Sequence, residues 1–358
     1  MQKTLPKAPK SLGRTRHVLN SAVSAIKGEA NPLGFSKVSS AIVILVDGLG
    51  YRQLEQVSGH APSLWKNAKP ILSAFPATTS NNIKSFATGL MPCDHGFLGY
   101  RLRHNQGISN LLSDMDKYDI QEFSSAVNIP EQNTGVDIST VSMQEYENSG
   151  FSKLTMGGSK FVPGETIEER FKKAREITKK SNQLVYLYIP ELDKTGHKQG
   201  WGSDLWLSYL EQVESEIRKF DLPNVGLVLI SDHGMVNTNQ DLQVHLDEYI
   251  DGTDIEAITG DTRCNYLHTK LSLEEVTERL MDEPVDVYSA EQIEQAGWFG
   301  GEVRAEFRYR LPELVLIARG DHVLLHKHFN TERAYKMIGH HGTFDSRELE
   351  VPLMRIGI

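Results

Sequence analysis

Acidic and imidazole side chains follow three apolar runs of this 358-residue chain, at the points where the runs end. The runs are AIVILV, LVYLYI and VGLVLIS, which begin at residues 41, 184 and 225. Such runs are typical of parallel strands buried on both faces, and in open α/β sheets ligands bind beyond the carboxyl ends of these strands. The side chains that follow the runs are Asp47, Asp193, His197, Asp232 and His233. We therefore expect them to meet at one edge of a sheet.

Three carboxylates at one sheet edge repel one another and lose hydration, which is costly unless cations neutralise them. A single Asp after a strand is more often a turn residue or a helix cap. The coincidence at three strands, two of them with a histidine, favours metal binding instead. Mixed Asp and His ligands without cysteine suit zinc or manganese better than magnesium or calcium.

The candidate nucleophile is Thr79, in the segment FPATTSNNIKSFATG at residues 75–89, where a proline-containing turn leads into a predicted helix. Free N–H groups and the helix dipole favour a phosphate and a developing alkoxide at such a position. A threonine hydroxyl requires a base or a metal ion to lose its proton at neutral pH. The plainer interpretation is that Thr78, Thr79 and Ser80 only cap the helix, and the neighbouring metal ligands outweigh it.

Helical patterns alternate with the buried strands. One helix is predicted from about Ile167 to Lys179, and a second has an apolar face formed by Trp206, Tyr209, Leu210, Val213 and Ile217. This alternation predicts an α/β fold with a mostly parallel central sheet.

The domain organisation predicted from the sequence is an N-terminal arm at 1–36 and a catalytic domain at 37–358. Weak, polar patterns at about 101–164 and 236–337 indicate two insertions around the pocket. The second insertion contains LVLIARGDHVLLH, where Gly320 and Asp321 lie between apolar runs and predict a hairpin.

The net charge of −9 argues against binding to a nucleic-acid polymer or to an anionic membrane surface. The two cysteines, Cys93 and Cys264, cannot build a disulfide framework. Residues 1–36 lack the apolar region of an export signal, and we therefore expect a cytoplasmic protein.

Five motifs, taken in order, resemble the alkaline phosphatase superfamily and, within it, the type I phosphodiesterase/nucleotide pyrophosphatase branch. They are VDGLGY at 46–51, FPATTSNNIKSFATGLMPCDHG at 75–96, IPELDKTGH at 189–197, SDHGMV at 231–236 and GHHGTFDSRELEVPL at 339–353. The resemblance spans most of the chain. It implies a three-layer α/β/α fold and the hydrolysis of phosphate esters.

The resemblance also implies a site for two divalent metal ions, usually Zn²⁺, with Mn²⁺ as the alternative. The implied ligands are Asp193, His197 and His341 for one ion, and Asp47, Asp232 and His233 for the other, toward which Thr79 bridges. In-line attack by Thr79 would give a phosphothreonine intermediate that water hydrolyses, with Thr78 as the fallback nucleophile.

The expected partner is a small phosphorylated molecule such as a nucleotide. The nucleotide pyrophosphatase branch usually carries an asparagine shortly after the His-Gly of the second motif, where it contacts a phosphate oxygen, whereas this chain has Tyr100. The Tyr100 hydroxyl and the Asn82 amide, one turn after Thr79, are the candidate substrate contacts. The substitution leaves the preference for nucleotide diesters open.

Two other functions remain as alternatives. A phosphomonoesterase or a phosphonate hydrolase would use the same bimetallic site. A non-catalytic metal-binding scaffold is less favoured, because every expected ligand and the nucleophile are present. A sulfatase is disfavoured because those relatives place a Cys or Ser in a C/S-x-P-x-R context, whereas Cys93 lies in MPCDHG.

Overall fold

The computed structural model describes residues 4–104, 107–119, 123–132 and 134–358. Its main feature is a seven-stranded sheet. In spatial order its strands are β2 (Ala68–Leu72), β17 (Glu350–Ile356), β8 (Val225–Ile230), β1 (Ser40–Val46), β7 (Gln183–Ile189), β5 (Asp137–Ser142) and β6 (Lys160–Pro163). The last five run parallel, and β17 runs antiparallel to β8 and β2. The predicted mostly parallel sheet is confirmed.

Helices cover both faces of this sheet. They are α1 (Val18–Lys27), α2 (Tyr51–Gln56), α3 (Pro62–Asn67), α4 (Thr79–Thr88), α7 (Ile167–Ile177), α8 (Glu191–Gln199) and α9 (Asp204–Arg218). Successive side chains of a strand point to opposite faces. In β1, which is entirely buried, Val43 therefore packs in the apolar cluster of α1 and α4, and Ile44 packs in that of α7 and α9. The predicted α/β/α layering is confirmed.

A second, six-stranded sheet is antiparallel. In spatial order its strands are β13 (Val285–Ser289), β14 (Leu314–Ala318), β12 (Cys264–Thr269), β11 (Ile255–Gly260), β3 (Arg101–His104) and β4 (Gly107–Asn110). Two short pairs join β10 (Gln243–His245) to β15 (Val323–Leu325), and β9 (Val236–Asn237) to β16 (Gly339–His340). Elsewhere lie α5 (Pro92–His95), α6 (Gly150–Met156), α10 (Leu273–Arg279), α11 (Ala290–Gln295), α12 (Glu332–Lys336) and α13 (Ser346–Leu349). Within the described ranges, no helix combines the length and apolarity that crossing a membrane requires.

The two segments predicted as insertions differ in structure. Segment 236–337 contains four strands of the six-stranded sheet. Segment 101–164 contributes β3 and β4 to that sheet, but its later part forms β5 and β6 of the central sheet. The sequence of β5 is DISTVS, and five of its six residues are buried. Because hydroxyl residues interrupt its apolar pattern, this strand was not recognised as part of the core.

The hairpin predicted around Gly320 and Asp321 is wrong. A turn does occur there, but β14 is already paired with β12 on one edge and with β13 on the other. No edge of β14 is therefore open to β15, which pairs in parallel with β10 instead.

The segment predicted as an N-terminal arm is partly built into the domain. A helical turn at Arg14–His17 leads into α1, which packs against β1, and Val18, Leu19 and Ala22 are fully buried there. Residues 18–27 therefore belong to one of the two helical layers.

Lys84 connects the helix that begins at Thr79 to distant parts of the chain. Its side chain is 1% exposed, and Nζ donates hydrogen bonds to Asn128 Oδ1 (2.9 Å) and to the carbonyl oxygens of Leu154 (2.8 Å) and Ala126 (3.2 Å). Burial lowers the pKa of Lys84 to about 8. The acceptors compensate for the lost hydration of the ammonium group.

We expect Lys84→Met to lower the free energy of unfolding by about 1–3 kcal/mol, because it leaves buried acceptors without a donor. The control is Lys153→Met, the same substitution at an exposed position of α6, which should change stability by less than about 0.5 kcal/mol. Urea unfolding followed by circular dichroism measures both values. Equal effects of the two substitutions would contradict the role of the Lys84 hydrogen bonds.

Candidate active site

The carboxyl ends of β1, β7 and β8 bring acidic groups to one edge of the central sheet. Asp47 directly follows β1, and Asp232 and His233 follow β8. β7 leads into α8, which carries Asp193 and His197. Because this segment is helical, residues four positions apart share one face, as their spacing indicated.

Asp193, His197 and His341 form the first candidate metal-binding group. One ligand atom from each lies within 4.8 Å of the others. Asp193 Oδ2 is 3.3 Å from His197 Nε2, and the ring centroids of His197 and His341 are 5.3 Å apart. His341 enters from the loop after β16. The structure therefore brings together the three residues predicted to hold one ion.

The second candidate group differs from the prediction in one member. Asp47, Asp193 and His233 have ligand atoms within 4.8 Å of one another, so Asp193 belongs to both groups. Asp232 is adjacent, since its Oδ2 and Asp47 Oδ1 each lie 3.4 Å from His233 Nε2. Asp232 Oδ1 accepts hydrogen bonds from the N–H groups of Gly48 (3.2 Å) and His233 (3.0 Å). All the predicted ligands converge, with Asp193 shared between the two groups.

A backbone carbonyl oxygen holds the Nδ1 atom of each imidazole in this cluster. The pairs are His197 with Gly339 (2.7 Å), His233 with Gly234 (3.0 Å) and His341 with Ala77 (2.9 Å). A carbonyl oxygen only accepts, so Nδ1 carries the proton of the neutral ring and Nε2 keeps a free lone pair. Metal-ligating histidines almost always have their other ring nitrogen held in this way.

Three buried carboxylate oxygens of the cluster have no hydrogen-bond partner within the described ranges. They are Asp47 Oδ1, Asp193 Oδ1 and Asp232 Oδ2. Burial, reinforced by the neighbouring carboxylates, raises the pKa of Asp47 well above its ordinary value, and burial and Asp193 raise that of Asp232. A bound cation would neutralise these groups and satisfy their oxygens. The mixed carboxylate and imidazole donors thus fit divalent metal ions.

Thr79 is the first residue of α4, and the preceding Thr78 is its N-cap residue. Thr79 Oγ1 lies 3.0 Å from His233 Nε2, and the residue lines a cavity. The N-terminus of this ten-residue helix offers backbone N–H groups to an anion. A hydroxyl group, an anion-binding helix end and the Asp/His cluster therefore meet at one place.

The structure contradicts the interpretation of Asn82 as a substrate contact. Asn82 is 1% exposed and is not one of the residues that line the cavity. Its Oδ1 accepts a hydrogen bond from Ala74 N–H (2.6 Å), and its Nδ2 donates to the carbonyl oxygens of Ala74 and Thr78 (both 3.2 Å). The amide is engaged on both sides, so it instead holds the turn that precedes Thr79.

A cavity of about 890 Å³ opens beside Thr79, and Tyr100 is one of the residues that line it. The hydroxyl oxygen of Tyr100 accepts a hydrogen bond from Asn110 Nδ2 (2.6 Å), and its own proton remains available to a ligand. The six-stranded sheet and α12 form one wall of the cavity. Tyr146, Tyr186 and Tyr188 contribute aromatic rings to another. A cavity of this size accommodates a small organic molecule.

Tyr188 was not among the predicted site residues. Its hydroxyl donates a hydrogen bond to Asp47 Oδ2. That bond occupies one carboxylate oxygen and leaves Oδ1 on the side of His233. The sequence indicated only that the two apolar runs are neighbouring strands. In the structure their pairing places Tyr188 opposite Leu45, near the ends of β1 and β7. The direction of the tyrosine side chain was not visible in that pattern.

The chain belongs to the family described as type I phosphodiesterase / nucleotide pyrophosphatase, whose sequence profile matches residues 41–344. Among individual proteins, it is similar to Venom phosphodiesterase CdcPDE of Crotalus durissus collilineatus, with 26% identity over 250 residues. Venom phosphodiesterase 2 of Crotalus adamanteus is 25% identical over 250 residues. These alignments cover 64% of this chain but only 30% and 31% of the two relatives, so the chain matches less than a third of their length.

Solved structures share the fold. Murine ectonucleotide pyrophosphatase / phosphodiesterase 5 superposes with a TM-score of 0.68 at 22% identity, covering 87% of each chain. An inactive variant of that protein in complex with AMP gives a TM-score of 0.67, again at 22% identity and 87% coverage of both chains. Phosphonoacetate hydrolase from Sinorhizobium meliloti, in complex with phosphonoformate, gives 0.65 at 18% identity, covering 88% of this chain and 89% of the hydrolase.

We expect Tyr188→Phe to weaken the binding of a divalent metal ion about 10- to 100-fold, because Asp47 loses the donor that orients its carboxylate. Tyr186→Phe is the matched control, since Tyr186 lies in the same strand and lines the same cavity but does not bond to Asp47. Zinc titration of chelator-stripped protein against a chromophoric chelator measures both affinities. Unchanged affinity in Tyr188→Phe would refute the orienting role.

Proposed function

We propose that this protein is a metal-dependent hydrolase of phosphate esters, of the phosphodiesterase/nucleotide pyrophosphatase type, with Thr79 as its nucleophile. The observation that carries the proposal is the position of Thr79 Oγ1, 3.0 Å from His233 Nε2 at the N-terminus of α4. Membership of the type I phosphodiesterase family supports the same reaction class.

Thr79 Oγ1, after its proton passes to water, attacks phosphorus in line with the leaving oxygen. A phosphorus–oxygen bond to Thr79 forms as the bond to the leaving oxygen breaks, and that oxygen takes a proton from water and departs as the alcohol. The backbone N–H groups at the start of α4 face the negative charge of the phosphoryl oxygens. Water then hydrolyses the phosphothreonine and releases the second product. In both steps the phosphoryl group must be held in the cavity beside Thr79.

Two divalent cations would neutralise the charge on the entering and leaving oxygens. We propose that Asp193, His197 and His341 hold one ion, and that Asp47, Asp232 and His233 hold the other. Zinc is the proposed metal, with manganese as the alternative, because the donors combine carboxylates with imidazoles.

The proposed substrate is a small phosphorylated molecule of nucleotide size. The cavity of about 890 Å³ is larger than a phosphate group alone needs, and tyrosine rings form part of its lining. Two proteins that share the fold bind small phosphorus-containing ligands, AMP in one case and phosphonoformate in the other. These ligands define the chemical class to test first.

A phosphomonoesterase or phosphonate hydrolase is the second candidate function. Tyr100 stands where the nucleotide pyrophosphatase branch usually carries an asparagine, and it lines the cavity. Its hydroxyl accepts from Asn110, so the donor presented to a phosphate oxygen differs in length and direction from an asparagine amide. This difference favours testing monoesters and phosphonates beside diesters.

We propose that the protein functions in the cytoplasm. Both cysteines, Cys93 and Cys264, are free and buried. Unpaired cysteines are usual in a reducing compartment, whereas exported proteins of this size commonly use theirs in disulfides.

The reaction class is tested by comparing bis-p-nitrophenyl phosphate with p-nitrophenyl phosphate and a p-nitrophenyl phosphonate ester. We expect faster turnover of the diester, loss of all turnover with a chelator, and recovery when zinc or manganese is restored. Preference for the monoester or the phosphonate would move the function to the second candidate. Turnover that survives removal of the metal would overturn the proposal.

Thr79→Ala should lower kcat by about three orders of magnitude or more, because the attacking oxygen is removed. Its metal content, measured by mass spectrometry, should stay close to that of the unchanged protein. Thr78→Ala is the control, since this neighbouring threonine carries the same hydroxyl group on the N-cap residue. Full activity in Thr79→Ala would refute Thr79 as the nucleophile. Loss of activity only in Thr78→Ala would assign that role to Thr78.

A further inference from the structure

A fully buried ion pair connects the six-stranded sheet to the part of the chain that carries His341. Arg263 immediately precedes β12, Glu348 lies in α13, and both side chains are 0% exposed. Arg263 Nη2 and Nε lie 2.8 Å and 3.0 Å from Glu348 Oε1. The guanidinium also donates to the carbonyl oxygens of His322 (2.5 Å) and Gly320 (2.9 Å). Arg263 is therefore tied to the turn after β14 as well as to Glu348.

Glu348 bonds to two of the loops that carry candidate metal ligands. Its Oε2 accepts from the N–H of Thr343 (2.8 Å), and its Oε1 accepts from the Thr343 hydroxyl (2.5 Å), two residues after His341. Its backbone carbonyl oxygen accepts from Gly234 N–H (2.7 Å), next to His233. One residue thus contacts a loop from each candidate metal group.

The turn that contains Arg263 also holds the chain on the other side of His341. Thr262 Oγ1 lies 2.7 Å from His340 Nδ1. The chain is therefore fixed by Thr262 just before His341 and by Glu348 two residues after it. His341 itself is held at Nδ1 by Ala77, and its ring stacks on His233 with centroids 3.7 Å apart. Displacement of this loop would move the imidazole away from Asp193 and His197, with which it forms the first candidate metal group.

Stability alone is a weak reason for a buried ion pair. The desolvation of two charges often outweighs their attraction, and apolar side chains of similar volume can replace such a pair at little cost. What apolar side chains cannot replace is the set of hydrogen bonds that Glu348 accepts from Thr343. Those bonds reach the loop of His341 directly, and Arg263 pairs with the same carboxylate that accepts them.

We propose that Arg263 and Glu348 are positioning residues that fix loop 339–345, and with it His341 Nε2, for the binding of a divalent metal ion. Neither side chain is within the ligand cluster itself. This inference rests on the proposed metal-dependent function. Through Arg263, the six-stranded sheet is then part of the framework of the metal site as well as a wall of the cavity.

The test measures zinc affinity of chelator-stripped protein by equilibrium dialysis, in the full chain, below the melting temperature of every variant. Arg263→Met and Glu348→Gln should each weaken zinc binding about 10- to 100-fold, with kcat largely restored at saturating zinc. The matched control is Glu216→Gln, which breaks a buried carboxylate contact with Arg175 on the helical layer of α7 and α9. It should lower the melting temperature without changing zinc affinity.

A double variant, Arg263→Met with Glu348→Leu, separates positioning from stability. Replacement of the whole pair should return the melting temperature toward that of the unchanged protein, while zinc affinity stays low because Thr343 has lost its acceptor. It also decides the question if either single variant fails to fold. Zinc affinity that recovers with the melting temperature, or that never falls, would overturn the inference. Absence of zinc binding in the unchanged protein would instead refute the proposed function.

Discussion

Repulsion among the carboxylates of Asp47, Asp193 and Asp232, at one edge of the central sheet, is the constraint that the surrounding structure must satisfy. Three oxygens of this cluster have no hydrogen-bond partner within the described ranges. Asp47 Oδ2 and Asp232 Oδ1 accept hydrogen bonds from O–H and N–H groups, and Asp193 Oδ2 lies 3.3 Å from His197 Nε2. The imidazoles are in turn oriented by carbonyl groups of the loops. Such a cluster is costly without cations, so the positions of the loops, helices and tyrosines around it are coupled to metal binding.

Much of the central sheet could be predicted because its strands are apolar without interruption. The runs that became β1, β7 and β8 were recognisable, and most of the predicted ligands lie directly or shortly after them. The strand DISTVS was not predicted, because its two apolar residues lie three positions apart and form neither a continuous apolar run nor the alternation typical of a strand. The hairpin around Gly320 failed for a related reason. Local patterning identifies a turn, but whether a strand edge is free depends on strands far away in the chain.

At the site, residue type and order identified the side chains that come together, but not the contacts that each side chain makes. Asn82 was placed correctly one turn after Thr79, yet the turn before the helix contains backbone groups that engage its amide fully. Tyr188 lies in a strand that was predicted, but its bond to Asp47 depends on which face it occupies. Arg263 carried no local signal at all, since its partner Glu348 is distant in sequence. Long-range side-chain contacts of this kind require coordinates.

The hydrogen bonds of Lys84 have a consequence for how substrate preference can diverge among related proteins. They link the middle of α4 to Leu154 in α6, whose neighbours Thr155 and Met156 line the cavity. The helix that begins at Thr79, the proposed nucleophile, and this face of the cavity are thus held together by a side chain that does not itself line the cavity. Substitutions of the lining residues would then alter the shape of the cavity and leave this connection between α4 and α6 in place.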